Sequence, residues 1–240
     1  RAAGTEPGVL PLASQAVKNH APLNTAVKGS KRVEKNGTPV LLAGCRGTGK
    51  RLLVHAVASS TGANLFNLTP SNTAGKYGGK TGPTTLVHTV LKVAKALPPS
   101  VVWIGEAETV WAAASKKKVK EPANRILKPL MALLAPQTGA APLAPRGRVL
   151  VLGTTAAPDE VEKKKDLSAL SDFFVKIFHL PLPDYAARVE LWARMLQRAG
   201  VAQPAAEACE LLARVSRGYS SGSICSVVRL GMSSRRVAQL

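Results

Sequence analysis

The run Gly44-Cys45-Arg46-Gly47-Thr48-Gly49-Lys50-Arg51 places glycines at the first, fourth and sixth positions of a turn, with a lysine directly after the last. Glycine backbone can curl so that several N–H groups point at one anion, and the start of a following helix adds positive potential there. The spacing is that of a phosphate-binding loop, G-x-x-x-x-G-K followed by Ser or Thr. It spells a grip on a phosphate chain, with Lys50 reaching the outer phosphates and Arg46 a further positive group or a plain exposed loop arginine. The final position departs from the pattern. Arg51 stands where a hydroxyl would hold magnesium, and a guanidinium has N–H donors but no lone pair for a metal.

Such a loop needs a strand before it and a helix behind it. Thr38–Ala43 is apolar enough for the strand, and Arg51–Ser60 has the amphipathic pattern of the helix. Further along, Asn64–Leu68 alternates like a short strand, and Val101–Ile104 and Arg148–Gly153 are continuous apolar runs suited to strands buried on both faces. Val175–Leu180 predicts a fifth strand. Helices are predicted from Pro83 to Leu97, punctuated by Pro98-Pro99, and from Pro122 to Leu134. The intervening loops are Thr69–Gly82, Trp111–Glu121, Ala135–Pro145 and Asp159–Asp166. Strands alternating with helices make a doubly wound parallel α/β sheet. After Asp184 only helical periods remain, over Tyr185–Arg198, Pro204–Val215 and Ser221–Leu230. The organisation expected is a lead-in over residues 1–36 with a helical patch at Leu12–Val27, an α/β subdomain over 37–182 and a small helical lid over 183–240.

Lys and Arg number 33 against 14 acids, a net charge of +19 that points to an acidic partner surface. The basic runs at Lys28–Lys35, Lys116–Lys120 and Lys163–Lys165 are the candidate contacts, each of them a solvated loop if read alone. Nucleic acid is the competing partner, but no helix-turn-helix, zinc or aromatic RNA-binding pattern accompanies the charge. Cys45, Cys209 and Cys225 form no C-x-x-C pair, which predicts a reducing compartment without disulfides or zinc. No apolar run is long enough to span a bilayer. A start at Arg1 is expected of a piece of something longer.

The phosphate loop, Lys76-Tyr77-Gly78-Gly79, Ser100–Glu106, Leu152-Gly153-Thr154-Thr155, Leu182-Pro183-Asp184-Tyr185 and Gly218-Tyr219-Ser220-Ser221-Gly222 follow one another in an order that resembles an AAA ATPase module. Gly62–Leu68, Ala74–Tyr77, Pro99–Ile104 and Pro183–Ala186 look more closely like the IQ-motif and AAA-domain-containing proteins. One member of that family is a subunit of the nexin–dynein regulatory complex of motile cilia. The resemblance implies a place in the cytoplasm and cytoskeleton, on axonemal doublet microtubules, with tubulin and other regulatory-complex subunits as partners. Calmodulin would bind IQ helices that lie outside this chain.

The resemblance also assigns roles. The acid that would hold magnesium at the end of the third strand is replaced by Gly105, leaving Glu106 as the candidate residual catalytic base; the plain alternative is an exposed acid after a strand. The polar residue that positions water falls at Ala156, with Thr154 or Thr155 as weak substitutes. The arginine fingers fall in Asp172-Phe173-Phe174-Val175-Lys176, where only Lys176 is basic and the phenylalanines read as core. Tyr77 sits where ring-forming relatives grip a polypeptide and reads here as a packing or contact residue. The three tryptophans read as core or partner contacts. These positions imply a module that binds ATP or ADP through residues 44–51 with little or no hydrolysis, Arg51 standing in for the metal. The alternatives are an active ATPase remodelling a protein or microtubule partner, and a nucleic-acid-associated AAA protein.

Overall fold

The structure, a computed structural model, describes residues 39–112, 122–134, 148–156, 164–174 and 176–232. The lead-in over 1–36, the connector 135–145 and the basic runs 28–35 and 116–120 lie outside the described residues, as does Lys163. The chain divides into two compact units, one built from residues up to Ala43 with Arg51–Phe178, the other from Gly44–Lys50 with His179–Leu240.

In the first unit β1 (Val40–Ala43), β2 (Asn64–Asn67), β3 (Ser100–Ile104), β4 (Val149–Thr155) and β5 (Lys176–His179) form one parallel sheet in the order β2-β3-β4-β1-β5. All five residues of β3 are buried, as are all four of β1, which is why, apart from Ser100 at the start of β3, these strands are apolar rather than alternating. The register pairs Ala43 with Thr155 and Ile104 with Gly153. The carboxyl ends of β1 and β4 therefore finish level, with β3 ending two residues earlier on the same edge, where open α/β sheets bind their ligands.

Helix α1 (Lys50–Thr61) follows β1, and α3 (Gly82–Ala96) precedes β3. Pro83, Leu86, Val87, Leu91 and Ala94 of α3 are buried at helical spacing. The last four join Val102, Ile104, Val151, Phe173 and Phe174 in the main core, where each large apolar side chain contributes about 1.5–3 kcal/mol. Pro83 starts α3 without losing a needed N–H, and the two prolines after Leu97 stop it.

Several elements differ from the sequence expectation. The predicted loop Thr69–Gly82 contains a one-turn helix, α2 (Pro70–Thr73), set off by Asn67, whose Oδ1 accepts the Thr69 N–H at 2.9 Å and the Thr69 hydroxyl. Helix α4 (Ala107–Trp111) occupies a stretch with no predicted element, and it makes Trp111 a helical core residue rather than the start of a loop. Its five residues are too few to show a period. The helix predicted from Pro122 is a 3-10 turn, Ala123–Ile126, followed by α5 (Leu127–Leu134). Pro129 is the cause, because its ring is tolerated only within the first turn of an α-helix. The predicted charged loop ends early: α6 (Lys164–Phe173) begins at its lysines and buries Leu170 and Phe173.

The second unit carries α7 (Tyr185–Arg198), α8 (Ala206–Val215) and α9 (Ser221–Gly231) around Trp192, Leu196, Cys209, Ala213, Ile224 and Val228. Asp184 caps α7 by accepting the Ala187 N–H at 2.8 Å. Buried Arg188 ties α7 to α8, donating to the carbonyls of Ala213 and Pro183 at 2.9 Å each. Trp192 Nε1 donates to Ser216 Oγ at 2.9 Å. Burial pushes the Cys209 thiol pKa up, which keeps it an inert core thiol. Among the described residues no helix is long and apolar enough to cross a membrane, and no group of His, Cys, Asp and Glu could hold a metal.

Candidate phosphate-binding site

The loop Gly44–Lys50 belongs to the second unit, and its conformation is the one its glycines permit. Gly44 and Gly47 have φ of 154° and 82°. A Cβ on Gly44 would strike the Leu180 carbonyl oxygen, and one on Gly47 would strike Ser220 Oγ and lie 3.1 Å from Ser220 Cβ. The Gly222 N–H at the start of α9 donates to the Gly47 carbonyl at 2.8 Å. Ser220 caps that helix by accepting the Ser223 N–H at 3.2 Å. The helical unit thus holds the loop by a backbone bond and by a side chain packed where only glycine fits.

Lys50 is buried, with its Nζ turned back over the loop and donating to the carbonyls of Gly44 at 2.5 Å and Cys45 at 2.6 Å. Thr48 Oγ1 donates to the Cys45 carbonyl at 3.0 Å. Cys45 and Arg46 are exposed. Of the predicted binding residues, 44–50 therefore make one loop around a buried ammonium, an arrangement fit for the phosphates of a nucleotide.

The first unit holds the remaining candidates on the carboxyl edge of its sheet. Arg51 is exposed, and its guanidinium carbon lies 5.6 Å from the centroid of the Trp103 ring. Trp103 Nε1 donates to Thr154 Oγ1 at 3.1 Å, so Thr154 is engaged by the indole. Thr155 is buried, and its hydroxyl has no hydrogen-bond partner among the described residues. Glu106 is exposed in left-handed backbone with φ 52° and ψ 50°, and it precedes α4 without capping it by its side chain. A non-glycine residue in that region carries strain of about 1–3 kcal/mol.

The two positions at which the family pattern would contact magnesium are both altered at this edge. Arg51 offers no lone pair, and the absent carboxylate at Gly105 has no room, because a Cβ there would strike Thr69 Cγ2 and lie 3.4 Å from Trp103 Cζ2. Gly105→Asp alone is expected to lower Tm by about 3–9 °C, from the cost of overpacking a filled site, with no magnesium-dependent gain in nucleotide affinity. Adding Thr69→Ser, which removes the methyl, should recover part of that Tm. A magnesium-dependent gain in the single variant would show that the threonine does not block the position.

Phe173 and Phe174 are buried, their rings 4.9 Å apart and tilted against Trp111 at 5.1 and 5.4 Å. They are core residues. Trp103 and Trp192 are likewise buried. Tyr77 is 48% exposed, so it is not a packing residue; its left-handed backbone belongs to a loop pinned by Arg125, which donates to the carbonyls of Thr73 at 2.5 Å and Lys76 at 2.8 Å. Sequence reasoning passed over Glu108, a buried acid whose Oε1 accepts the Ala156 N–H at 3.3 Å at the end of β4. Its signal is an acid set among the buried apolar positions Ala107, Val110 and Trp111. Thr69 was also unassigned, and Ser220 and Gly222 were read only as part of the Gly218–Gly222 motif; their spatial neighbours reveal what they touch.

Residues 40–178 match the family described as ATPase family associated with various cellular activities (AAA). Dynein regulatory complex protein 11 of Mus musculus is 37% identical over 97% of this chain and 25% of its own length. Spastin of Xenopus laevis is 29% identical over 79% of this chain and 30% of its own length. The chain thus spans less than a third of these relatives. Among solved structures, the FIGL-1 AAA domain in complex with ADP aligns with a TM-score of 0.60 at 25% identity, over 85% of this chain and 65% of that one. A katanin structure solved for the basis of its self-assembly aligns with a TM-score of 0.57 at 24% identity, over 80% of this chain and 57% of that one.

Proposed function

The chain belongs to the AAA family, and from that premise we propose that it is a degenerate AAA module serving as a structural and regulatory scaffold of the ciliary axoneme. It holds ATP or ADP through Gly44–Arg51 with little or no hydrolysis. The α/β subdomain over 37–182 carries the sheet, and 183–240 is the small helical subdomain. The observation that carries the reading is the end of β3, where Gly105 and the Thr69 methyl leave no place for a metal-binding carboxylate. Hydrolysis in this architecture depends on a metal to bridge the outer phosphates and on a positive group at the developing charge. Arg51 has replaced the hydroxyl that would touch the metal, Ala156 has no polar group to orient water, and the fingers' place is filled by buried Phe173 and Phe174. A bound nucleotide still stabilises a fold that does not turn it over, by mass action on the folded state.

Placement in a dynein regulatory complex, beside other subunits and on tubulin, rests on similarity to the mouse relative and on the net charge of +19. A second reading, an active remodelling ATPase, draws on the spastin similarity and on the survival of Glu106.

Phosphate release from ATP with magnesium, in the presence and absence of microtubules, separates the two. The scaffold reading expects release at background level, unchanged by Glu106→Gln. Turnover that Glu106→Gln abolishes would establish the active ATPase instead. In the same preparation, salt-sensitive co-sedimentation with microtubules, set against DNA retention at equal salt, tests the acidic partner.

A further inference from the structure

We propose that Trp103 is the seat that positions Arg51 as the resident cation of the nucleotide site, an inference that rests on the nucleotide-binding reading above. The ligand class is a nucleoside di- or triphosphate bound without a divalent metal.

The indole is fixed from several sides. Its Nε1–H is held by Thr154 Oγ1 at 3.1 Å, the His55 ring meets it edge-on at 5.7 Å and 71°, and the residue is only 4% exposed. Arg51 and His55 are four apart on α1, so both side chains fall on the same helix face above one ring. The guanidinium carbon lies 5.6 Å from the ring centroid, within the range where a π face attracts a cation.

The kind of partner decides what Arg51 can do. A carboxylate would engage the guanidinium through its in-plane N–H fork and use up the donors that recognise phosphate. An aromatic face holds the cation through its own flat face and engages none of those donors. Among the described residues no carboxylate is ion-paired with Arg51. The side chain is therefore positioned by Trp103, with no carboxylate among the described residues competing with phosphate oxygens for its N–H groups, directly after the loop lysine in the chain. A magnesium-binding carboxylate on β3 and a hydroxyl on α1 are replaced together by an aromatic platform and the arginine it seats. Trp103 is a positioning residue in this scheme; Arg51 touches the ligand.

The test is calorimetric titration of the full chain with ADP in EDTA, for the unaltered protein, Arg51→Ala, Trp103→Leu and the double variant. Either single substitution is expected to weaken ADP binding about three- to tenfold, and the double variant no further than Arg51→Ala alone. Losses that multiply in the double variant would overturn the seat, because Trp103 would then act through packing alone. A readout independent of replacing a buried tryptophan is the indole emission. ADP should change it in the unaltered protein and not in Arg51→Ala, and an equal change in both overturns the proposal even if Trp103→Leu does not fold. A large gain in ADP affinity on adding magnesium would also overturn it. Failure of the unaltered protein to bind ADP overturns this inference and the reading beneath it, whereas ADP binding with multiplying losses overturns the seat alone.

Discussion

Lys50→Ala is expected to weaken ADP and ATP binding by at least about thirtyfold while the fold persists. A charge-assisted hydrogen bond contributes about 1.5–3 kcal/mol, and Lys50 carries the buried positive charge of the loop. Two effects combine in the loss. The phosphates lose a cation, and the loop loses the ammonium that draws together the carbonyls of Gly44 and Cys45. The second effect should appear without nucleotide as faster amide exchange across 44–49. Lys50→Arg is expected to restore little, because a planar fork replaces a compact point charge inside a closed turn. Calorimetry decides it. A dissociation constant within twofold of the original would mean that the loop is not where phosphate binds.

The largest effect on stability is expected at Gly153. This residue lies in the middle of the sheet, and a Cβ there would collide with the Phe174 ring, 2.6 Å from Cε1, and lie 2.9 Å from Leu41 Cδ1. Both neighbours are buried and about 1% exposed, so neither can swing out to solvent. Gly153→Val is expected to cost about 3 kcal/mol and lower Tm by about 6–12 °C. Phe174→Leu in the same chain should recover part of this by emptying the space that the ring takes. A Tm within 2 °C of the original, as an order of measurement error against that shift, would mean that the sheet relaxes around the added atoms. The place that would carry an arginine finger is thus committed to the core: Phe174 is accommodated by Gly153 on β4.

Features that are contiguous in the chain were the legible ones. The phosphate loop is read from eight consecutive residues, β3 from an unbroken apolar run, and α7 has the predicted span of Tyr185–Arg198 because Asp184 caps it and its apolar face repeats. Short helices were not legible, since α2 and α4 have four and five residues and complete little more than one turn. Neither were pairings between distant residues. Nothing at Thr69 announces that its methyl fills the space beside Gly105, and nothing at Trp103 announces that its face meets Arg51. Gly47 reads as a phosphate-loop residue and Gly222 as part of a separate motif until the bond between their backbones is seen. The substitutions at the site were visible one at a time; what fills the space they vacate was not.

The packing of Thr69 against Gly105 also bears on mutational history. With a β-branched side chain in the room that an aspartate needs, Gly105→Asp alone is expected to yield a less stable protein and no metal site. Reversion at 69 alone opens a gap and recovers nothing. A hydrolytic descendant would have to cross at least one disfavoured intermediate, with Arg51 still to change. Under the scaffold reading the contact acts as a ratchet: it would make a metal-free edge self-preserving, with no need for selection against catalysis.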